Sequence, residues 1–298
     1  IYCSDEVHTS IDRAIWIAGV GQENLVRIPT EGPNRSLDIK ALEQAIERDL
    51  ANGLVPAGII GCVGGTSVGA VDDIASLAET SRKYALYCHV DAAWAGSAMI
   101  CPEFRTYWRG VDGVDSIVLN PHKWLGAQFD CSAHFLRAPE LVAKTLSIKP
   151  DYLKTHGRDG VVNYSEMSVP LGRRFRALKL WFLMRAHGLE GLRTMIRNHV
   201  AWSEALAQRL ANEPDFELVT QPMLSLFSFR HLPADGRDIE HHTLSLLTTI
   251  NDAGAIYLTP TKVDGRTAIR FQVGQFDTTQ ADVDAAFEVI TRTARALG

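Results

Sequence analysis

The sequence predicts an α/β protein, with a mostly parallel sheet covered by helices on both faces and a smaller α+β unit behind it. Three observations carry this. Up to about residue 125, short apolar runs of strand length alternate with stretches whose apolar residues recur at helical spacing, the pattern of βαβ units. From Arg173 onward two long helical stretches are followed by strand, strand, helix, strand, strand, helix, an α+β order. A chain of 298 residues, 46% hydrophobic and 22% charged, is globular in composition and long enough for a second core.

In order, Ile1 to Cys3 reads as the end of a strand, Ile11, Ile15 and Ile17 mark a helix, and "LVRIP" is a short strand. "DIKALEQAIERDLANG" places Ile39, Leu42, Ala45, Ile46 and Leu50 on one helical face, with Asp38 as its cap and Gly53 as its stop. "AGIIGCV" is a buried strand, "DIASLAETSRKY" a helix, and "LYCHVD", "DSIVLN" and "CSAHFLR" are strands. "SIKPDYLKTHGRDGVVNYSEMSVP" is a long polar loop, and loops of that length in a compact domain are usually functional lids or disordered. "RRFRALKLWFLMRAHG" and "LEGLRTMIRNHVAWSEALAQRL" are long helices. These elements divide the chain into a large domain over residues 1–180 and a small C-terminal domain over residues 181–298.

Composition narrows the function. A net charge of -5 without any Lys/Arg-rich run provides no field for nucleic acid or anionic lipid, so the expected partner is a small molecule. Five cysteines, at 3, 62, 88, 101 and 131, are odd in number and form no CxxC, which argues against a disulfide framework and a zinc knuckle and fits a reducing cytoplasm. No apolar stretch reaches the roughly 20 residues of a membrane span, and the first residues lack a signal-peptide pattern. The first residue is not Met, so the sequence is expected to begin inside a longer protein.

In open α/β sheets ligands sit outside the carboxyl ends of the strands. Four such ends carry reactive side chains: His8, Thr66, Asp91 and Lys123. Each has a plain structural explanation by itself. His8 or Thr66 can cap a helix, Asp91 can form a turn, and Lys123 can be solvated. Their concurrence at one sheet edge favours a shared site. A lysine amine forms a Schiff base with an aldehyde, and an aspartate beside a pyridine nitrogen keeps it protonated, making the ring an electron sink. Pyridoxal 5′-phosphate needs both. A histidine can stack on its ring, and Asn120, His122 and Thr66 can serve its hydroxyl or phosphate. Pro121 ends the strand, which leaves His122 and Lys123 facing the crevice.

"HVDAAWAGSAMICPEFR", "NPHKWLGAQFDCSA", "KPDYLK" and "PLGRRFRALKLWF" resemble the group II pyridoxal-phosphate decarboxylases, most closely the aromatic-L-amino-acid decarboxylases, along nearly the whole chain. The resemblance implies fold-type I, the aspartate-aminotransferase-like fold, and decarboxylation of an aromatic L-amino acid to its amine and carbon dioxide. By it, Lys123 carries the cofactor, Asp91 pairs with the pyridinium nitrogen, Ala93 packs beside the ring and His8 stacks over it. Thr66, Asn120 and His122 match cofactor-contacting positions, Tyr152 matches a catalytic loop tyrosine that delivers a proton to Cα, and Gly172 matches a position lining the substrate pocket. The resemblance also implies a homodimer. In relatives a phosphate-binding turn and a dimer-interlocking arm precede the point where this sequence starts, so the chain reads as lacking an N-terminal part.

Competing readings are weaker. "GIIGCVGGTSVG" has glycines at 61, 64, 65 and 69, which is not the G-x-G-x-x-G of a nicotinamide enzyme. A metal site from His89, Asp91, His241 and His242 has no spacing rule behind it, so none is expected. The alternative of a different class is a truncated or degenerate homologue that folds and associates without turnover. Within pyridoxal enzymes an aromatic acetaldehyde synthase or an aminotransferase remains open, the latter typically needing an arginine for the substrate carboxylate.

Overall fold

The computed structural model describes residues 1–147 and 163–298. Strand β1 (Tyr2–Ser4), helix α1 (Ser10–Ile17) and β2 (Val26–Ile28) come first, followed by a small hairpin of β3 (Thr30–Glu31) and β4 (Ser36–Leu37). Then α2 (Ile39–Ala51), β5 (Gly58–Cys62), α3 (Ile74–Tyr84) and β6 (Tyr87–Asp91) alternate as βαβ units, and short 3-10 helices lead from β6 to β7 (Ser116–Leu119). β8 (Ala133–Leu136) and α4 (Pro139–Leu146) close this part. The strands form one sheet in the order β2-β1-β5-β6-β7-β8, parallel throughout except for β8, which runs antiparallel to β7.

Local chemistry explains the helix starts. Asp38 accepts the Ala41 N–H at 3.0 Å and Asp73 the Ser76 N–H at 3.3 Å, satisfying first-turn donors that the helices cannot pair internally. Leu42, Ala45 and Ile46 of α2 and Ile74, Leu77 and Ala78 of α3 are buried, so both helices enter the core by one stripe.

The second part begins with α5 (Arg176–Ala211), which merges the two long helical stretches of the sequence and runs through residue 180. Gly188 breaks its regular geometry with φ 65° and ψ 172°. β9 (Phe216–Met223), β10 (Leu226–His231), α6 (Ile239–Asp252), β11 (Thr259–Val263), β12 (Arg266–Gln272) and α7 (Gln280–Leu297) follow. The four strands form an antiparallel sheet in the order β11-β12-β10-β9. Phe227, Phe229, Leu246, Ile250, Ile269 and Ile290 form its core with α6 and α7, separate from the core of the first sheet. A third, smaller cluster joins the two parts, packing Cys3, Val7, Ile11 and Cys62 with Val263 and Ala268. Among the described residues, no helix is long and apolar enough to cross a membrane.

Candidate active site

Parallel pairing puts the carboxyl ends of β1, β5, β6 and β7 on one edge, and a cavity of about 390 Å³ opens there. His8, Thr66, Asp91, Ala93, Asn120 and Lys123 all line it, together with Trp94 and Ser132. Six residues spread over more than a hundred positions thus meet because four strands end side by side.

Asp91 is the last residue of β6, and its backbone carbonyl accepts the Val63 N–H at 2.9 Å. Its Oδ1 accepts the Ala93 N–H at 2.9 Å, while Oδ2 has no hydrogen-bond partner among the described residues. The turn after β7 is similarly pinned. The Asn120 N–H donates to the Ala93 carbonyl at 2.7 Å and the Lys123 N–H to the Asn120 carbonyl at 2.8 Å, which aims Lys123 back over the sheet end. Ser132 Oγ donates to Asn120 Oδ1 at 2.6 Å, fixing that amide. Desolvation by the surrounding walls lowers the Lys123 pKa and Arg270 adds to the effect, while Asp91 opposes it. A lysine of this kind releases its proton more readily and becomes a better nucleophile.

His8 projects from the turn between β1 and α1. Its Nδ1 accepts the Ser10 N–H at 3.1 Å, which leaves Nε2 as the protonated nitrogen of the neutral ring. Trp94 forms a side wall, packed at a tilt of 45° against Trp124 at 5.1 Å between centroids, with Nε1 donating to the Gly64 carbonyl at 2.5 Å. Gly64 has φ 82°, and a Cβ there would lie 2.6 Å from that of Ala95, so only glycine allows the indole this approach.

Two expected positions stand elsewhere, and a third is not described. His122 is outside the cavity lining, with its Nδ1 taking the Cys131 N–H at 3.0 Å and its ring against Phe129. Gly172 is exposed and has nothing within 4 Å of where a side chain would start. Tyr152 lies outside the described residues.

The structure also supplies a residue that the sequence reading passed over. Arg270, on β12, lines an adjoining cavity of about 490 Å³ whose wall shares Thr66, Trp94 and Lys123 with the first. Its guanidinium donates to Gln272 Oε1, but its Nε is buried without a partner, and desolvation lowers its pKa. It has no carboxylate partner among the described residues. A charged residue amid the apolar "AIRFQV" was the available signal. Among the described residues there is no cluster of three or more His, Cys, Asp or Glu able to hold a metal.

Comparison with known proteins gives this edge a family. Residues 1–232 match the pyridoxal-dependent decarboxylase conserved domain. Tyrosine decarboxylase 3 of Petroselinum crispum is 40% identical over 306 residues, covering 100% of this chain and 59% of the relative. Tryptophan decarboxylase TDC1 of Camptotheca acuminata is 40% identical over 303 residues, covering 100% of this chain and 60% of the relative. The crystal structure of Oryza sativa TDC with PLP and tryptamine superposes with a TM-score of 0.95 at 36% identity, covering 99% of this chain and 62% of that one. The fold is therefore fold-type I, and the chain spans about 60% of the length of the relatives it matches. The chain belongs to the pyridoxal-dependent decarboxylase family.

Proposed function

We propose that this chain is the larger part of a pyridoxal-phosphate enzyme that decarboxylates an aromatic L-amino acid to its amine and carbon dioxide. The observation that carries the reading is the pairing, in one cavity, of an amine and a carboxylate oxygen that nothing else engages: Lys123 Nζ and Asp91 Oδ2 have no hydrogen-bond or ion-pair partner among the described residues. That donor set fits pyridoxal phosphate, whose aldehyde and ring nitrogen ask for those two groups. When bound, the cofactor supplies an electron sink for the pair left on Cα as carbon dioxide departs. Lys123, with its lowered pKa, is the residue that would hold the cofactor aldehyde, and its amine would be the group placed to move protons beside it. Asp91, held by the Ala93 N–H, keeps a proton on the ring nitrogen. Ala93 packs beside the ring, His8 covers one face of it, and Thr66 and Asn120 bind its polar substituents. Tyr152 is assigned proton delivery to Cα, and His122 and Gly172 their contacts with cofactor and substrate, on the family resemblance alone.

Arg270 adds an anion-binding point beside Lys123, with the cofactor phosphate and the substrate carboxylate as its two possible ligands. Losing a charge-assisted contact of about 1.5 to 3 kcal/mol predicts a roughly 10- to 150-fold effect for Arg270→Gln. A higher KM at unchanged cofactor affinity assigns the contact to the substrate, and weaker cofactor binding at unchanged KM assigns it to the phosphate. We further propose a homodimer. Trp181, Phe182 and Met184 of α5 are all about half exposed, an apolar patch suited to burial against a second copy, and sedimentation of the full-length protein tests it.

The deciding experiment loads the full-length protein with pyridoxal phosphate and measures carbon dioxide and amine from tryptophan, tyrosine, phenylalanine and dihydroxyphenylalanine. Equimolar amine and carbon dioxide are expected from at least one of them. Bound cofactor without carbon dioxide from any would overturn the reading.

A further inference from the structure

Two hairpins from distant parts of the chain meet on the turn that carries His8. One is the β3–β4 hairpin, whose loop ends at Arg35. The other is the β11–β12 hairpin of the second sheet, with Asp264 at its tip. Arg35 donates to Asp264 Oδ2 at 2.7 Å through one guanidinium nitrogen and to Glu6 Oε1 at 3.4 Å through another. Glu6 stands two residues before His8, and its side chain is only 15% exposed. Val7, between them, packs in the same apolar cluster as Val263 and Ala268 of the second hairpin. The turn is thus held to the second sheet twice, once by charge and once by apolar contact.

The backbone makes Arg35 more than a chance surface ion pair. It has φ 48°, in the left-handed region where glycine, asparagine and aspartate are the usual occupants. A glycine would suit the backbone better, so the side chain stands here against the local backbone preference. Burial raises the Glu6 pKa, Asp5 and Asp264 push it the same way, and Arg35 is the neighbour that opposes them. Without Arg35 the enclosed carboxylate would be an uncompensated charge, which costs far more than an exposed pair gains.

We propose that Arg35 and Asp264 are positioning residues for His8: Arg35, itself held by Asp264, clasps Glu6 and so fixes the turn Asp5–Thr9 over the cavity, tying the second sheet to the cofactor-facing imidazole. The clasp rests on the reading of His8 as the group covering the cofactor ring.

Hydrogen exchange over residues 5 to 11, measured on the full-length protein with and without pyridoxal phosphate, tests the clasp directly. Arg35→Gly, which relaxes the backbone, should exchange about fivefold faster there near neutral pH. The acceleration should shrink as the pH falls and Glu6 takes up a proton. Adding Glu6→Gln should abolish it, and Arg35→Lys should retain most of the protection. Asp264→Asn, on an exposed tip, should give a smaller acceleration of the same kind. The visible circular dichroism of bound cofactor should weaken in Arg35→Gly and in His8→Ala. An unchanged exchange profile in both Arg35→Gly and Asp264→Asn overturns the proposal, as does an acceleration that is independent of pH and unrelieved by Glu6→Gln. A parental dichroism signal in His8→Ala removes the ring-covering role instead, whatever the exchange shows.

Discussion

The cavity at the sheet edge and the buried polar cluster at the far end of the second sheet contain similar chemistry in opposite states of satisfaction. In the second sheet His231 Nδ1 and His242 Nε2 lie 2.8 Å apart, and His231 Nε2 faces Asp215 at 3.3 Å. Arg295 completes the chain, donating from Nε to Asp215 at 2.9 Å and also binding Glu213. Every member has a partner. At the cavity, Asp91 Oδ2, Lys123 Nζ and Arg270 Nε have none among the described residues. Buried polar groups are normally paired because an unpaired one loses its hydration without return. Of the open set only Arg270 Nε, in the adjoining cavity, is buried; Asp91 is half-buried and Lys123 is exposed, so these groups are free to take a ligand, whereas the closed set holds the fold together. The difference teaches that residue type alone does not separate a site from a structural network.

Substitutions on the two sides should separate activity from stability. The largest expected effect is Lys123→Met, which removes the amine proposed as nucleophile and proton carrier and should lower turnover by about 10³-fold or more. Its stability should move the other way. Because the folded pKa of Lys123 is lowered, its ammonium opposes folding at neutral pH and the cost fades only as pH rises through that pKa. Met removes it, so the cofactor-free variant should melt at or above the parental Tm. Borohydride should also fix the cofactor to the Lys123 peptide of the parent, and labelling at another lysine would refute the assignment. Asp91→Asn comes next. An amide cannot hold the ring proton as a carboxylate does, and a charged hydrogen bond of about 2 to 3 kcal/mol corresponds to a roughly 30- to 150-fold loss in kcat. A rate within tenfold of the parent would contradict that role.

How far the sequence discloses this contrast depends on how local each determinant is. Strand "LYCHVD" ends at Asp91 and "SIVLN" runs into Lys123, so hydrophobic runs and the Pro121 break were enough to locate both. The caps at Asp38 and Asp73 and the strand and helix order after Arg173 rest on equally local signals. The β3–β4 hairpin was invisible because its strands are two residues each, too short for any periodicity. The antiparallel direction of β8 depends on pairing with β7, which no run of residues encodes. Arg270 was missed for a similar reason. Alternation along β12 shows which face it occupies, but only packing of the second sheet against the first brings that face to Lys123. His231 and His242 were legible as histidines and not as a pair, since their contact joins a strand end to a helix start.

On the closed side, His242→Ala leaves His231 Nδ1 without its partner in a buried site. An unsatisfied buried polar group costs about 1 to 3 kcal/mol, and the lost ring adds a cavity. Thermal unfolding should register a loss of about 2 to 3 kcal/mol, with kcat within about twofold of the parent. A fall in kcat as large as that of Asp91→Asn would mean that the cluster reaches the cavity after all.

The last expected effect is the pH dependence of stability, and its sign follows from burial. Desolvation lowers the pKa of both His231 and His242. Asp215 opposes this at His231, where Arg295 and Arg237 reinforce it; at His242, His231 and Arg237 reinforce it and Asp235 opposes it. Above the unfolded value of about 6.5 both rings are neutral in both states and their contribution is complete. As pH falls below that value the unfolded chain takes up protons first, so native stability declines until the lowered native pKa values are passed. His89 and His199, both lowered to about 4, act in the same direction, while Asp72, raised to about 6, gains its proton in the folded state and acts in the opposite one. The net curve therefore cannot identify the pair, but a difference can. Asparagine keeps donors and acceptors without titrating, so His231→Asn/His242→Asn should flatten the decline between about pH 6.5 and 5 by up to about 1.4 kcal/mol per pH unit for each proton removed. Denaturant unfolding of the parent and the double variant across that range measures it. Parallel curves would place the acid sensitivity in His89, His199 and His134, whose pKa burial also lowers, and leave the pair as a purely structural bond.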